Sequence, residues 1–186
     1  MKKPIFVIEH LEQKIWKWCF FEYKNISKIV GKENVWFTNL KRGTGILRKY
    51  GKVIRKSVRE FDLEKVCVLD PEAKKTLTPK EANKFDYFVF GGILGDYPSR
   101  KRTKKELTKF IKNARARSIG KEQLATDNAV YVVNEIVKGK KIGDLKFKNG
   151  VEIRINKIES TILPYKYALV KGKPLVSRDL VRYFKK

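Results

Sequence analysis

Cysteine, histidine and acidic residues are all scarce in this chain of 186 residues, and each shortage narrows the chemistry open to it. Cys19 and Cys67 stand far apart with no C-x-x-C spacing, so neither a disulfide framework nor a zinc site is indicated, and a reducing compartment is expected. His10 is the single histidine; it has no Ser or Cys nucleophile signature and no metal-ligand partners nearby, which leaves catalytic triads and metal-assisted hydrolysis without their parts. Long hydrophobic runs are also missing. After Lys2 and Lys3 the apolar stretch Ile5-Phe6-Val7-Ile8 stops at Glu9, too short for a signal core or a membrane span. The expectation is a cytoplasmic protein with no membrane partner and no metal.

Acid is the most telling shortage. Asp and Glu number 20 against 44 Lys and Arg, a net charge of +24 that exceeds what solubility alone requires. A polyanionic partner, RNA or a ribonucleoprotein, is indicated. One rival is the lysine-rich surface of a protein from a heat-loving organism, although such surfaces usually carry matching Glu. An acidic membrane surface is the other, but no segment shows the one-sided apolar face that interfacial binding needs.

What is present is the material of a core: 42% hydrophobic and 12% aromatic residues, enough for one domain over residues 1–186. Four short, uniformly apolar runs read as strands covered on both faces: Ile5-Phe6-Val7-Ile8, Val35-Trp36-Phe37, Val66-Cys67-Val68-Leu69 and Tyr87-Phe88-Val89-Phe90. Between them, Ile15, Trp18, Cys19, Ile26, Ile29 and Val30 recur at helical spacing and predict a helix over 13–30, with Glu22 on its buried stripe. Thr78-Pro79-Lys80-Glu81 and Thr103-Lys104-Lys105-Glu106 read as capping boxes, and Thr126-Asp127 opens a helix that stops near Gly139. Strand and helix alternate, which predicts an α/β fold with a mostly parallel sheet and helices on both faces. Residues 145–155 alternate apolar and polar around Asn149-Gly150, the signal of an antiparallel hairpin turning there, and a short helix is expected from about Ser177.

In an open α/β sheet ligands bind at the carboxyl ends of the strands, and Tyr87-Phe-Val-Phe-Gly91-Gly92-Ile93-Leu94-Gly95-Asp96 runs a buried strand straight into three glycines and an acid. A ligand loop and a tight structural turn both fit. No Gly-Lys-Ser/Thr follows it and no helix opens on it at dinucleotide spacing, so nucleotide phosphates are not the indicated ligand. A second candidate loop is Arg117-Ser118-Ile119-Gly120-Lys121-Glu122-Gln123-Leu124-Ala125-Thr126-Asp127, whose helix start supplies free N–H donors for a carboxylate or simply caps a helix. Glu9 and Glu22 are acids in places that should be dry; each is either half of a structural ion pair or functional. Pro98-Ser99-Arg100-Lys101-Arg102 is a basic cluster, a solvated surface or a site.

Taken in order, Ile8-Glu9-His10-Leu11-Glu12, Trp18 with Glu22-Tyr23, Leu69-Asp70-Pro71, the block from Asp86 to Asp96, Pro98, Arg100, Thr103, Gln123, Thr126-Asp127, Ala129-Val130, Glu159, Pro164 and Gly172-Lys173-Pro174 form a collinear pattern. In that pattern the chain resembles the SPOUT-class S-adenosylmethionine-dependent methyltransferases, the group that includes the eukaryotic ribosomal-protein arginine methyltransferase. The resemblance implies a deep trefoil knot in the C-terminal half of the sheet and S-adenosylmethionine as cofactor. It implies that the cofactor is held by Phe90, Gly91, Gly92, Ile93, Leu94 and Gly95 from one loop and by Ile119, Gly120, Gln123, Leu124, Thr126 and Asp127 from the other. A sulfonium methyl needs only a nucleophile positioned in line, which agrees with the missing nucleophile motif. For an arginine acceptor, carboxylates must orient the guanidinium and assist proton loss; Glu9 and Asp96 are the candidates, with Asp127 and Glu159 behind them. For an RNA acceptor, Arg100 and Arg102 would steady phosphates.

This chain departs from the family pattern at Tyr97, Ser99 and Lys101, where His, Pro and Asp are expected, and in Ile119-Gly-Lys-Glu-Gln-Leu-Ala-Thr-Asp127, where the usual form is Leu-Gly-Pro-x-Gln-Met-Thr-Thr-Asp. The cofactor loops survive in outline, and the departures near the acceptor side bear on substrate identity more than on methyl transfer. Three functions stay open: a protein arginine methyltransferase acting on a ribosomal protein, an RNA methyltransferase, and a noncatalytic basic RNA-binding module, as monomer or homodimer. Gly92→Val is expected to fill space that the cofactor needs.

Overall fold

The computed structural model describes residues 3–41, 45–94 and 101–185. Its main sheet is built from β1 (Ile5–His10), β2 (Val35–Thr38), β3 (Lys52–Val53), β4 (Val66–Leu69), β5 (Tyr87–Gly92) and β6 (Arg115–Arg117), in the order β3-β2-β1-β5-β4-β6, with every pairing parallel. All four apolar runs are strands, and their side chains explain why the runs are continuous. Phe6, Ile8, Cys67, Leu69, Phe88 and Phe90 point to one face and Val7, Val66, Val68 and Val89 to the other, and each face has its own buried cluster.

The two faces are covered unequally. Helices α1 (Lys17–Val30), α2 (Pro79–Ala82) and α4 (Thr126–Val137) pack on the first. Helix α3 (Arg102–Glu106) and its neighbouring turns cover the second, with Leu107, Ile111 and Val58 buried against the strand valines. Helix α1 begins at Lys17 rather than at Gln13, because Glu12 is withdrawn to bond Arg102 and the Leu94 N–H. In α2 only half of the expected box forms: Thr78 accepts the Glu81 N–H, while the Glu81 carboxylate is taken by Arg117. Thr103 is not a cap at all. Helix α3 starts at Arg102, and Lys101 precedes it in the left-handed conformation (φ 56°).

A second, antiparallel sheet joins β7 (Phe147–Arg154), β8 (Ser160–Val170) and β9 (Lys173–Pro174), followed by α5 (Arg178–Phe184). The hairpin exists, but it does not turn at Asn149-Gly150. Gly150 uses its positive φ (67°) inside β7, opposite an irregularity where Pro164 and Tyr165 face one residue, so the proline sits where no ladder bond is required. The turn is built by Asn156, whose side-chain oxygen accepts the N–H of Ile158 and of Glu159. Sheet and appendage are stitched together at α4: Asn128 accepts the Ala168 N–H and donates to Leu175 O, and Gln123 O accepts the Lys166 N–H. Among the described residues no helix is long and apolar enough to cross a membrane.

Candidate functional site

The carboxyl ends of β4, β5 and β6 frame one pocket. Phe90, Gly91 and Ile93 come from the end of β5, and residues 119–124 with Thr126 come from the loop between β6 and α4. The two loops that lie 25 or more residues apart in sequence thus share one wall-to-wall space, as the strand-end rule requires. Gly120 holds φ +123°, a conformation that side chains resist, with open space where a Cβ would stand.

The strand pleat separates the paired glycines. Gly91 faces the pocket, where a Cβ would meet Ile93 Cδ1 at 3.0 Å and Thr103 Oγ1 at 3.6 Å. Gly92 faces the core: a Cβ there would lie 2.2 Å from the Tyr23 hydroxyl. The expectation that Gly92→Val fills ligand space is therefore corrected, since the space is already occupied by Tyr23, which stacks on Phe37 and bonds His10 Nδ1 at 2.8 Å. Leu94 and Asp127 also lie off the pocket. The Leu94 N–H reaches Glu12, and Asp127 is buried beneath Asn25 and Asn128.

Arg102 does line the pocket, yet its guanidinium is committed: to Glu12 at 2.7 Å, to Glu106 at 2.7 Å and to the Leu11 carbonyl at 3.2 Å. These partners hold it firmly charged. It ties the segment after β1 to α3, and through Glu12 to the Leu94 N–H, rather than offering a free fork to phosphate. Glu9 is likewise committed and is not among the lining residues. Its carboxylate is fully buried and accepts from Thr38 Oγ1 (2.5 Å), Ser57 Oγ (2.5 Å) and the Val58 N–H (2.9 Å), so three neutral donors stand where an ion pair was one expectation. Glu159 sits in the exposed turn of the β7–β8 hairpin, bonded to Asn156. Gly95, Asp96 and Arg100 lie outside the described residues.

The chain matches, over residues 5–186, the family described as protein arginine N-methyltransferase SFM1-like. It belongs to the SFM1-like family. Protein arginine N-methyltransferase SFM1 of Saccharomyces cerevisiae is 38% identical over 200 residues, covering 97% of this chain and 94% of the yeast protein. The crystal structure of the yeast arginine methyltransferase SFM1 complexed with SAM superposes with a TM-score of 0.89 at 36% identity, over 100% of this chain and 91% of that one. The dual specific Trm10 from Thermococcus kodakaraensis, 18% identical with a TM-score of 0.58, covers 76% of this chain and 96% of its own and shares the fold.

In this SFM1-like chain the pocket also draws on residues that carried no expected role at the site: Leu69 at the end of β4, Asp70, Pro71 and Glu72 after it, Thr103 on α3 and Ala129 on α4. The usable signal was the strand-end rule applied to β4 as well as β5. Asp70 is tied down by the Glu72 N–H and the Thr108 hydroxyl, and Glu72 pairs with Lys101 at 3.1 Å. The thiols take no part: burial pushes both Cys19 and Cys67 up to about 12. Burial also lowers the His10 imidazole below its ordinary value and keeps it neutral. The perturbed acid is Glu22. It accepts the Trp18 indole N–H at 2.7 Å and is pushed up to about 8 by burial first and by neighbouring Asp127 second.

Proposed function

We propose that this SFM1-like chain transfers a methyl group from S-adenosylmethionine to an arginine of a protein of the translation machinery. The observation that carries the reading is the pocket between residues 90–93 and 119–126, on a chain whose 36% identical yeast relative was crystallised with SAM. The residues fit that ligand. Leu69, Phe90, Ile93, Ile119 and Leu124 supply apolar walls suited to an adenine ring, with Gln123 and Thr126 as the polar partners that fix its orientation. Gly91, with no Cβ to push Ile93 inward, keeps the slot open. When bound, the cofactor supplies a methyl on a sulfonium, already activated toward a nitrogen nucleophile.

The protein's own work is then positioning. The Arg102–Glu12–Glu106 cluster holds the Leu94 N–H beside the pocket, and Asp96 and Arg100, which lie outside the described residues, are the candidates that the resemblance offers for the acceptor side. A trefoil knot in the C-terminal half of the sheet goes with this reading as an expectation, and so do a single domain over residues 1–186 and a cytoplasmic location. The charge of +24 favours an acceptor presented on a ribonucleoprotein, and keeps an RNA acceptor as the second reading.

Equilibrium dialysis with labelled S-adenosylmethionine tests the first half: no binding at millimolar cofactor leaves only a basic RNA-binding module. Nuclease and protease treatment of a labelled reaction tests the second. Label that survives nuclease and is lost with protease identifies a protein acceptor, whereas label lost with nuclease sinks the arginine reading.

A further inference from the structure

The seam between α1 and α4 buries two neighbouring carboxyl groups. Glu22 and Asp127 are both buried, and among the described residues their partners are Trp18, Thr126, Asn25 and Asn128, with no cation. Unpaired buried carboxylates are among the costliest groups a fold can carry. A second observation points to the same spot from the other sheet. Tyr167 on β8 is 2% exposed, yet its hydroxyl has no hydrogen-bond partner, and it lies within the fields of Glu22 and Asp127. Its neighbours Lys166 and Ala168 are bonded to Gln123 and Asn128, which fixes Tyr167 against the start of α4.

Two further residues connect this cluster to its surroundings. Thr126 lines the cofactor pocket and directs its hydroxyl at Glu22, so pocket and acid pair share a wall. Trp18, half-buried, donates to Glu22 and packs edge-on against Tyr165 and Phe184, so its indole stands between the acid and solvent. Two carboxyls, an orphaned hydroxyl and an aromatic ring match a flat cation with five N–H donors better than a compact ammonium.

We infer that Glu22, Asp127 and Tyr167 form the acceptor subsite: a receptor for the guanidinium of an arginine side chain that enters past Trp18 and reaches the methyl donor beside Thr126. This rests on the arginine reading proposed above. The seated cation supplies the missing countercharge and favours the ionised Glu22 carboxyl. The guanidinium nitrogen then forms a bond to the methyl carbon as the carbon–sulfur bond breaks. The electron pair of that bond stays on sulfur as a neutral thioether, and the proton released from nitrogen passes to the Glu22 carboxylate and on to solvent.

The test uses the full chain and two near-isosteric variants, Glu22→Gln and Tyr167→Phe. Labelled transfer to arginine should fall about 100-fold in kcat/KM for Glu22→Gln and about tenfold for Tyr167→Phe, the scale of a lost proton acceptor and a lost hydrogen bond. Affinity for S-adenosylmethionine should stay within about twofold of wild type, and the melting temperature of Glu22→Gln should hold or rise, because a buried charge has been removed. In the cofactor-bound, 15N-labelled protein, arginine amide should shift the Trp18 indole N–H resonance, lysine amide far less, and Glu22→Gln should abolish the shift. Label in arginine undiminished by both variants, or an indole shift equal in wild type and Glu22→Gln, overturns the subsite while leaving the arginine reading intact. A wild-type protein that labels no arginine overturns both.

Discussion

Two buried glutamates, Glu9 and Glu22, sit on successive elements, β1 and α1, on opposite faces of the sheet, and have opposite circumstances. Glu9 ends β1 and is met by donors from three directions: a hydroxyl on β2, a hydroxyl at Ser57 and the Val58 amide. The carboxylate is a mortar that fixes the 57–60 turn to the sheet through these three donors. Glu22 faces α4 and another acid, and its ordinary state is strained toward protonation. Burial alone therefore says little about function. What separates Glu22 is the second buried acid beside it, Asp127, and by that measure the working acid is on the helix and not at the strand end.

The largest effect expected from this contrast is at Glu9. Glu9→Ala leaves the Ser57 hydroxyl and the Val58 N–H without their acceptor, while the Thr38 hydroxyl keeps only its longer bond to the Ile8 carbonyl; with each of the two orphans costing about 1–3 kcal/mol, the total loss is roughly 2–6 kcal/mol. Denaturant titration measures it. A loss below about 1 kcal/mol would mean that the carboxylate is not the keystone of the turn.

Next comes Gly92, which links the two regions because Tyr23 is the chain neighbour of Glu22. Gly92→Val drives a side chain into the Tyr23 hydroxyl, packed between His10 and Phe37, and overpacking of this kind costs about 1–3 kcal/mol. The sharper form of the prediction is its partial rescue. With Tyr23→Phe in the background, Gly92→Ala should be better tolerated than in wild type, read as a recovered melting temperature. No recovery would show that the obstruction comes from the backbone atoms near Gly92 instead.

How much of this was legible beforehand varies with the physics that decided it. The four apolar runs could be read as parallel interior strands because burial on both faces leaves no polar position to interrupt them. The first pocket loop followed from the strand-end rule and the second from its helix start, the family resemblance supplied the individual residues, and Phe90, Gly91, Ile93, Ile119, Gly120, Gln123, Leu124 and Thr126 do line one space. Which of two adjacent glycines faces that space was not legible, since it depends on the phase of a strand against a tyrosine 69 positions earlier. Nor was the fate of Glu9, which is fixed by donors 29 to 49 positions away. The hairpin failed for a local reason: Asn-Gly permits a tight turn, but glycine's positive φ serves an irregular ladder equally well, and the competing Asn156 turn carried a weaker signature.

The third prediction turns on the sign of a proton linkage. Glu22 is raised from 4.5 to about 8, and Asp127 is raised too, so the folded protein retains protons that the unfolded chain has already released. Stability conferred by these groups is thus greatest at acidic pH and falls as pH rises from about 4.5 toward 8. Melting temperature followed over that window should decline in wild type and decline less in Glu22→Gln. Parallel curves would place the proton elsewhere and remove the physical basis of the contrast with Glu9.

Smallest and most diagnostic is Trp18→Phe. The indole N–H is the donor that partly offsets the cost of ionising Glu22, and phenylalanine keeps the ring that meets Tyr165 and Phe184 while deleting that donor. A hydrogen bond to a charged group contributes about 1–2 kcal/mol more than one to its neutral form. The variant should therefore lose about 1 kcal/mol at pH 9, where Glu22 is ionised, and markedly less at pH 6, where it holds its proton. Chemical denaturation at the two pH values gives the difference directly. An equal loss at both would assign the indole to packing alone, and would leave the Thr126 hydroxyl and N–H as the donors that offset ionisation of Glu22.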